Sequence, residues 1–218
     1  MILPLLLHGT DGSRHAQVPI TRLTIAGWTG RDPVAVQAHI DELAALGVAP
    51  PPRVPVYYRA SASRLTQAPV IQVTGARTSG EAEFVLLRHE GRVWVLAGSD
   101  HTDRVVETYD VTVSKQMCDK PISAEAWELT TVAAHWDELR LSAWADGRLY
   151  QDGPVSGLLD PGALLAGAGP IYEGSALFGG TISVHGTIGP ANRFFVRISD
   201  PIMKRDLTLS YQTEVLGL

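Results

Sequence analysis

The chain has 218 residues, 45% of them hydrophobic and 19% charged, which is apolar enough for a packed core and excludes a disordered chain. Eighteen Lys+Arg against 23 Asp+Glu leave a net charge of −5, the wrong sign for a duplex-binding surface, so no nucleic-acid partner is expected. The single cysteine, Cys118, excludes an internal disulfide and a cysteine-rich zinc site.

No stretch reaches the apolar length of a bilayer span. The opening run 2–7 reads as a strand that turns at 8–13. It lacks the basic start and small-residue cleavage site of a signal peptide, so a cytoplasmic protein without a membrane partner is expected. Residues 20–26 are rich in β-branched side chains and predict a strand. Asp32 and Pro33 then open a helix over 33–46, with Val36, Ile40, Leu43 and Ala44 at helical spacing and Gly47 as its stop. Three prolines at 50–52 end this region. Strands are predicted at 54–58, 70–73, 81–87 and 93–97, the last two joined by a hairpin loop at 89–92. Further strands fall at 139–144 and 148–151 around the hairpin dipeptide Asp146-Gly147, and then at 181–184, 193–198 and 207–211. Segments 123–127 and 158–168 are short helix candidates. There is no repeat and no linker, so the chain reads as one mostly β, α+β domain over 1–218.

Phosphate-binding loops, nucleophile elbows and His-Glu-x-x-His motifs are absent, and the seven histidines lack ligand spacing. What stands out is acidic. Glu81 and Glu83 are two apart in a strand, so they share a face at roughly 6.5–7 Å and repel unless a cation lies between them. Asp100 falls at the far end of the predicted hairpin, where antiparallel pairing returns it to them. Three oxygen donors suit a hard cation, Mg²⁺ or alternatively Mn²⁺ or Ca²⁺. The competing reading is a solvated strand edge, with Asp100 and Asp103 as turn formers.

Lys115 is a candidate partner for a substrate carboxylate or enolate oxygen, or an ordinary surface lysine. His39 and Glu42 are neighbours on one helix face, where the carboxylate would raise the imidazole's basicity; a plain solvent-facing pair is the alternative. His101 and His185 flank the acidic group as hydrogen-bonding residues. Trp94 is a packing residue, Trp28 lines a cleft mouth or covers the helix, and Cys118 is an inert thiol.

In order, these pieces resemble the fumarylacetoacetate hydrolase superfamily, in particular its short bacterial single-domain members, from about residue 20 to the end. Residues 23–27 followed by His39-x-x-Glu42 resemble the opening strand and lid helix, so that 1–55 forms an N-terminal strand and lid region. Residues 56–61 are similar to Phe-x-Lys-Pro-Ser, with Arg59 for lysine. Glu81-Ala-Glu83 resembles the paired-glutamate metal motif. Ser99-Asp100 to Arg104 matches Asn-Asp-x-Ser-Ala-Arg in spacing. Residues 114–121 are similar to Gly-Lys-Ser-x-Asp-x-x-x-Pro, and Gly179-Gly180-Thr181 to Gly186 resembles a substrate-touching loop. Departures include Ser99 for asparagine, Glu107 where glutamine is common, and Ala191-Asn192 before the last strand pair. Residues 122–136 have no counterpart.

The resemblance implies a mixed β-roll with a few short helices, usually a homodimer, and a metal held by Glu81, Glu83 and Asp100. It implies an enzyme acting on a small 2-oxo or 1,3-dicarbonyl carboxylic acid by C–C bond hydrolysis through a metal-bound enolate, with His39, Glu42 and Lys115 catalytic. Arg104, Gly180 and Thr181 would contact substrate; for Arg104 the alternative is a structural pairing with Asp103 or Glu107. Decarboxylase, isomerase or hydratase chemistry, or non-catalytic binding of a small acid, are the alternatives on the same scaffold.

Overall fold

A computed structural model describes residues 1–45 and 50–217, with the side chains of His39 and Leu43 outside the described set. β1 (Ile2–Gly9) and β2 (Gly12–Pro19) form a hairpin, followed by β3 (Arg22–Gly27), α1 (Pro33–Ala45) and β4 (Val56–Ala60). β5 (Leu65–Thr66), β6 (Val70–Val73) and β7 (Thr78–Ser79) lead to a long hairpin of β8 (Ala82–His89) and β9 (Arg92–Ser99). Next come β10 (Thr102–Asp103), α2 (Arg104–Glu107), α3 (Val111–Met117), β11 (Lys120–Pro121) and β12 (Glu125–Glu128). The rest of the chain is β13 (Arg140–Ala145), β14 (Arg148–Pro154), α4 (Pro161–Ala168), β15 (Ser175–Thr181), β16 (Arg193–Asp200) and β17 (Arg205–Val215).

The large mixed sheet runs β2-β1-β12-β9-β8-β15-β3-β4, and a second sheet runs β14-β13-β16-β17-β6. Phe84, Leu86, Val95 and Ala97 pack against Leu141, Ala143, Phe194, Val196 and Ile198 of the second sheet. The other face of the same hairpin, Val85, Leu87, Trp94 and Leu96, meets Leu3, Leu5, Leu7, Leu23 and Ile25. Those partners belong to the large sheet itself, so the sheet curls over its own apolar face as a roll. Burial on both faces is why 84–87 and 93–97 are continuously apolar instead of alternating. Each such side chain contributes about 1.5–3 kcal/mol.

The two hairpin loops form as their dipeptides demand. Glu90-Gly91 (φ 50° and 73°) and Asp146-Gly147 (φ 47° and 77°) are both left-handed pairs, the geometry that matches strand twist. Asp32 caps α1, accepting from the Val34 N–H at 2.9 Å, and Pro33 takes the first helical position. Among the described side chains of α1 Ile40 alone is buried, and most of the others are exposed. The predicted stop at Gly47 lies outside the described residues.

Two sequence expectations are corrected, and one strand is added. Residues 123–127 were expected to be helical, but 125–128 form strand β12, parallel to β1 and antiparallel to β9. The gap between those two strands overrides the local helix preference of Ala-Glu-Ala. The strand expected at 181–184 lies instead at Ser175–Thr181. Gly179-Gly180 reads as a turn locally, yet both glycines sit inside the strand because the backbone is crowded there. A Cβ on Gly179 would lie 2.2 Å from Phe84 Cε2, and one on Gly180 1.8 Å from Thr29 Oγ1. Strand β2 gave no apolar signal because it is a polar edge strand.

Candidate metal centre

Glu83 is the second residue of β8 and pairs with Gly98 of β9, so the open end of this hairpin carries Glu81, Glu83 and Asp100 together. The Asp100 N–H donates to the Glu81 carbonyl at 2.9 Å, which closes that end. The hairpin return read from spacing is therefore the return the chain makes. Asp103, the other acid of the segment, caps α2, accepting from Val105 and Val106 at 2.9 and 3.1 Å.

The three carboxylates sit in different surroundings. Glu83 is 2% exposed, and its Oε2 accepts the Gly180 N–H at 2.7 Å. Burial pushes its carboxyl well above the ordinary glutamate range, and the nearby Asp100 charge adds to that push. Glu81 is partly open and lies 3.3 Å from Arg104. Asp100 is buried between two ammonium groups, Lys115 on Oδ2 and Lys120 at 3.1 Å from Oδ1. Burial alone would raise the Asp100 carboxyl, but the two lysines hold it below the usual carboxylate range. Lys115 is raised above the ordinary lysine range: burial opposes its charge, and Asp100, Glu81 and Glu107 outweigh burial. Lys120, wholly enclosed, is lowered by burial against the pull of Asp100, and its Nζ also donates to the His101 carbonyl.

Arg104 completes the charged group. Its Nη1 donates to Glu107 Oε2 at 2.7 Å and its Nε to Ser79 Oγ at 2.6 Å. Glu107 and Glu81, not Asp103, are thus its acidic partners. Lys115 also lies 3.5 Å from Glu107 Oε1. Four carboxylates and three cations therefore share one largely buried volume.

Gly180 and Thr181 reach this volume from β15. The Gly180 N–H is taken by Glu83. The Thr181 hydroxyl donates to the Ala82 carbonyl at 2.8 Å and accepts from Gln151 Nε2 at 2.7 Å. Glu42 lies exposed on α1, and the His39 side chain lies outside the described residues. His101 belongs to a buried network with Thr78 Oγ1 (2.8 Å) and the Tyr211 hydroxyl (3.0 Å); burial pushes it down to about 3, so it stays neutral. His185 is exposed. Cys118 is buried and pushed up to about 11 by desolvation, an unreactive thiol.

Two residues that sequence reasoning missed stand here. Lys120 carried no signal beyond its place before Pro121. Tyr58 of β4 is half-buried, and burial raises its phenol above the ordinary tyrosine range, with Lys115 opposing and Glu107 adding to the rise. Its place in the strand predicted at 54–58 and in the 56–61 segment was legible, and its side chain's surroundings were not.

Among the described residues, no group of three or more His, Cys, Asp or Glu is arranged as a ready coordination sphere. The donor chemistry nevertheless fits a hard divalent cation. Glu83 is a buried carboxyl whose ionised form is opposed by burial and a neighbouring acid, and a cation would relieve both. The Lys115 ammonium is already the cation nearest Asp100.

A family model described as Protein of unknown function (DUF2848) matches residues 26–211. No curated protein matches the sequence. Among solved structures the chain is similar to fumarylpyruvate hydrolase from Pseudomonas aeruginosa in complex with Mn²⁺ and pyruvate, with a TM-score of 0.68 and 17% identity, covering 99% of this chain and 97% of that one. It is similar to yeast ynq8, a fumarylacetoacetate hydrolase family protein (TM-score 0.66, 17% identity, 90% and 94% covered). It is similar too to 5-carboxymethyl-2-hydroxymuconate delta-isomerase from Mycobacterium smegmatis (TM-score 0.66, 17% identity, 95% and 82% covered). These likenesses establish a fumarylacetoacetate-hydrolase-like fold.

Proposed function

The chain belongs to the family described as Protein of unknown function (DUF2848), and from that premise and its fold we propose a divalent-metal-dependent enzyme acting on a small 2-oxo or 1,3-dicarbonyl carboxylic acid. The observation that carries the reading is the convergence of Glu81, Glu83 and Asp100 at one hairpin end, with Glu83 buried and resisting ionisation. Glu81, Glu83 and Asp100 would hold Mg²⁺, Mn²⁺ or Ca²⁺. When bound, such an ion supplies Lewis-acid polarisation of the substrate's carboxylate and 2-oxo oxygens.

The protein's own groups do the rest. Lys115 offers positive charge to a developing oxyanion, in a volume where low solvent access strengthens it. Arg104, braced by Glu81, Glu107 and Ser79, aligns the acidic wall. Gly180 and Thr181 form the wall facing the substrate carboxylate. On the same reading His39, oriented by Glu42, takes a proton from the water that attacks the distal carbonyl. α1 buries few described side chains, which suits a helix that closes over substrate. C–C hydrolysis is the first reaction to test, in a homodimer. Decarboxylation and isomerisation need the same oxyanion stabilisation but no attacking water, whereas hydration adds a water across a C=C bond.

The test is calorimetric titration of oxalate, a 2-oxo-acid mimic, with Mg²⁺ or Mn²⁺ present. Metal-dependent oxalate binding by the wild type, abolished in Glu81→Ala, is expected; equal affinity in the two proteins overturns the site. Comparing His39→Ala on an acylpyruvate and on oxaloacetate separates hydrolysis, which should fall ~10²-fold or more, from decarboxylation, which should persist.

A further inference from the structure

We infer that Gln151 is a positioning residue for the metal: standing where β15 leaves the ladder, its carboxamide fixes the stretch of backbone between Glu81 and Glu83 and so sets which divalent ion their carboxylates fit. The inference rests on the metal reading above.

The geometry begins with a break in the sheet. β15 runs antiparallel to β8 with Phe178 opposite Val85, but Thr181 falls opposite Glu83, so Gly179 and Gly180 together face the single residue Phe84. That is a β-bulge, with Gly180 at a φ of 93° that favours glycine. The bulge turns the Gly180 N–H out of the ladder and onto Glu83 Oε2 at 2.7 Å.

Continued one step, the shifted register puts Ile182 opposite Ala82, the residue between the two glutamates, and there a side chain of the other sheet fills the ladder's place. Gln151 of β14 is wholly buried. Its Oε1 accepts the Ala82 N–H at 2.8 Å, and its Nε2 donates to the Ile182 carbonyl at 2.6 Å and to Thr181 Oγ1 at 2.7 Å. The carboxamide thus acts as an inserted peptide group, with one acceptor toward β8 and two donors toward β15. An ionised glutamate in its place would offer no donor, and asparagine is one methylene short. The Thr181 hydroxyl closes the ring by donating to the Ala82 carbonyl at 2.8 Å.

This ring holds the two peptide groups that separate Glu81 from Glu83. In the first, the carbonyl accepts the Asp100 N–H at 2.9 Å and the N–H is held by Gln151. In the second, the carbonyl is held by Thr181. Gln151 is itself anchored: its backbone bridges Val184, and the Tyr150 carbonyl beside it accepts the His185 N–H at 2.7 Å. A fixed pair of carboxylates matters most to a small ion. Mg²⁺ requires near-octahedral geometry with oxygens at about 2.0–2.1 Å, whereas Ca²⁺ accepts irregular spheres at about 2.3–2.6 Å. Loosening the backbone between Glu81 and Glu83 therefore costs Mg²⁺ more than Ca²⁺.

The experiment is calorimetric titration of Mg²⁺ and of Ca²⁺, each alone, into wild type and Gln151→Met, which keeps the side chain's length and removes all three hydrogen bonds. Melting temperature is recorded in parallel. Mg²⁺ affinity is expected to fall ~10-fold and Ca²⁺ affinity no more than about twofold, so that the ratio of the two falls ~5-fold. Asp200→Asn, which weakens a turn after β16 instead, is expected to keep the wild-type ratio, which separates positioning from a general loss of stability. An unchanged ratio in Gln151→Met, or an equal fall in Asp200→Asn, overturns the role of Gln151 and leaves the site intact. If Gln151→Met does not fold, Thr181→Val, which opens the other side of the ring, is read in its place: a ratio lowered ~3-fold supports the role, and an unchanged ratio overturns it. Failure of the wild type to bind either ion overturns the metal reading itself, and Gln151 with it.

Discussion

Asp100 and Asp200 are both buried aspartates at the end of a long strand, one after β9 and the other closing β16, and they are held in different ways. Asp200 accepts from the N–H groups of Ile202 (3.2 Å) and Met203 (3.0 Å) in its own turn, then from His135 (3.0 Å) and Arg205 (3.1 Å). Arg205 is itself fixed, over the Trp127 ring and on the Thr131 hydroxyl. The Asp100 carboxylate is held by side chains: Lys115, Lys120 and the Thr102 hydroxyl. Both lysines have a second oxygen within reach, Glu107 for Lys115 and the His101 carbonyl for Lys120. An acid fixed by backbone N–H groups is part of the turn it closes. An acid held by cations that have somewhere else to go can change partners, which is what a metal ligand must do.

The largest expected effect sets the two aspartates against each other. Asp100→Asn removes the one negative charge shared by two enclosed ammonium groups and is expected to cost roughly 3–5 kcal/mol and to abolish metal-dependent oxalate binding. Asp200→Asn keeps an acceptor for the turn N–H groups and is expected to cost roughly 1–3 kcal/mol, with oxalate affinity unchanged. Urea unfolding and calorimetry check both, and loss of oxalate binding in Asp200→Asn breaks the contrast.

Lys115→Met sharpens the idea of a displaceable cation. Mn²⁺ should bind at least as tightly as to wild type, because the competing ammonium is gone, while turnover falls ~10²-fold. Weaker Mn²⁺ binding would mean that Lys115 is fixed like Arg205.

The smallest effect is a pH dependence inside the site. The Glu83 carboxyl is raised in the fold, so its contribution is fully present below the unfolded value, about pH 4.3, and is lost as pH rises through its folded value. Asp100 has the opposite sign: its contribution is present above its unfolded value and is lost on acidification. Metal-free Glu83→Gln, which keeps an acceptor for the Gly180 N–H, should therefore gain about 1 kcal/mol at pH 8, or ~2–4 °C in Tm. The gain should vanish near pH 5. A Tm unchanged across that range would mean that Glu83 is not strained by its neighbours.

Much of the scaffold was legible because its causes are local. The Glu90-Gly91 and Asp146-Gly147 turns, the Asp32 cap and the apolar runs of β8 and β9 follow from backbone preference and burial on both faces. The convergence of Glu81, Glu83 and Asp100 was legible too, since a hairpin of known turn and period returns its ends together. β12 and the Gly179-Gly180 strand were not, because each answers to a distant surface: the gap between β1 and β9, and the Phe84 ring and Thr29 hydroxyl.

By itself, then, the sequence determined which short-range elements form and which acids a hairpin must bring to one end, because turn geometry and the two-residue period of a strand are properties of neighbouring residues. Only the tertiary structure decided that Lys115 and Lys120 close on Asp100 and that Arg104 chooses Glu81 and Glu107. Those pairings depend on distance through a low-dielectric interior, and that distance exists only once strands far apart in the chain have packed.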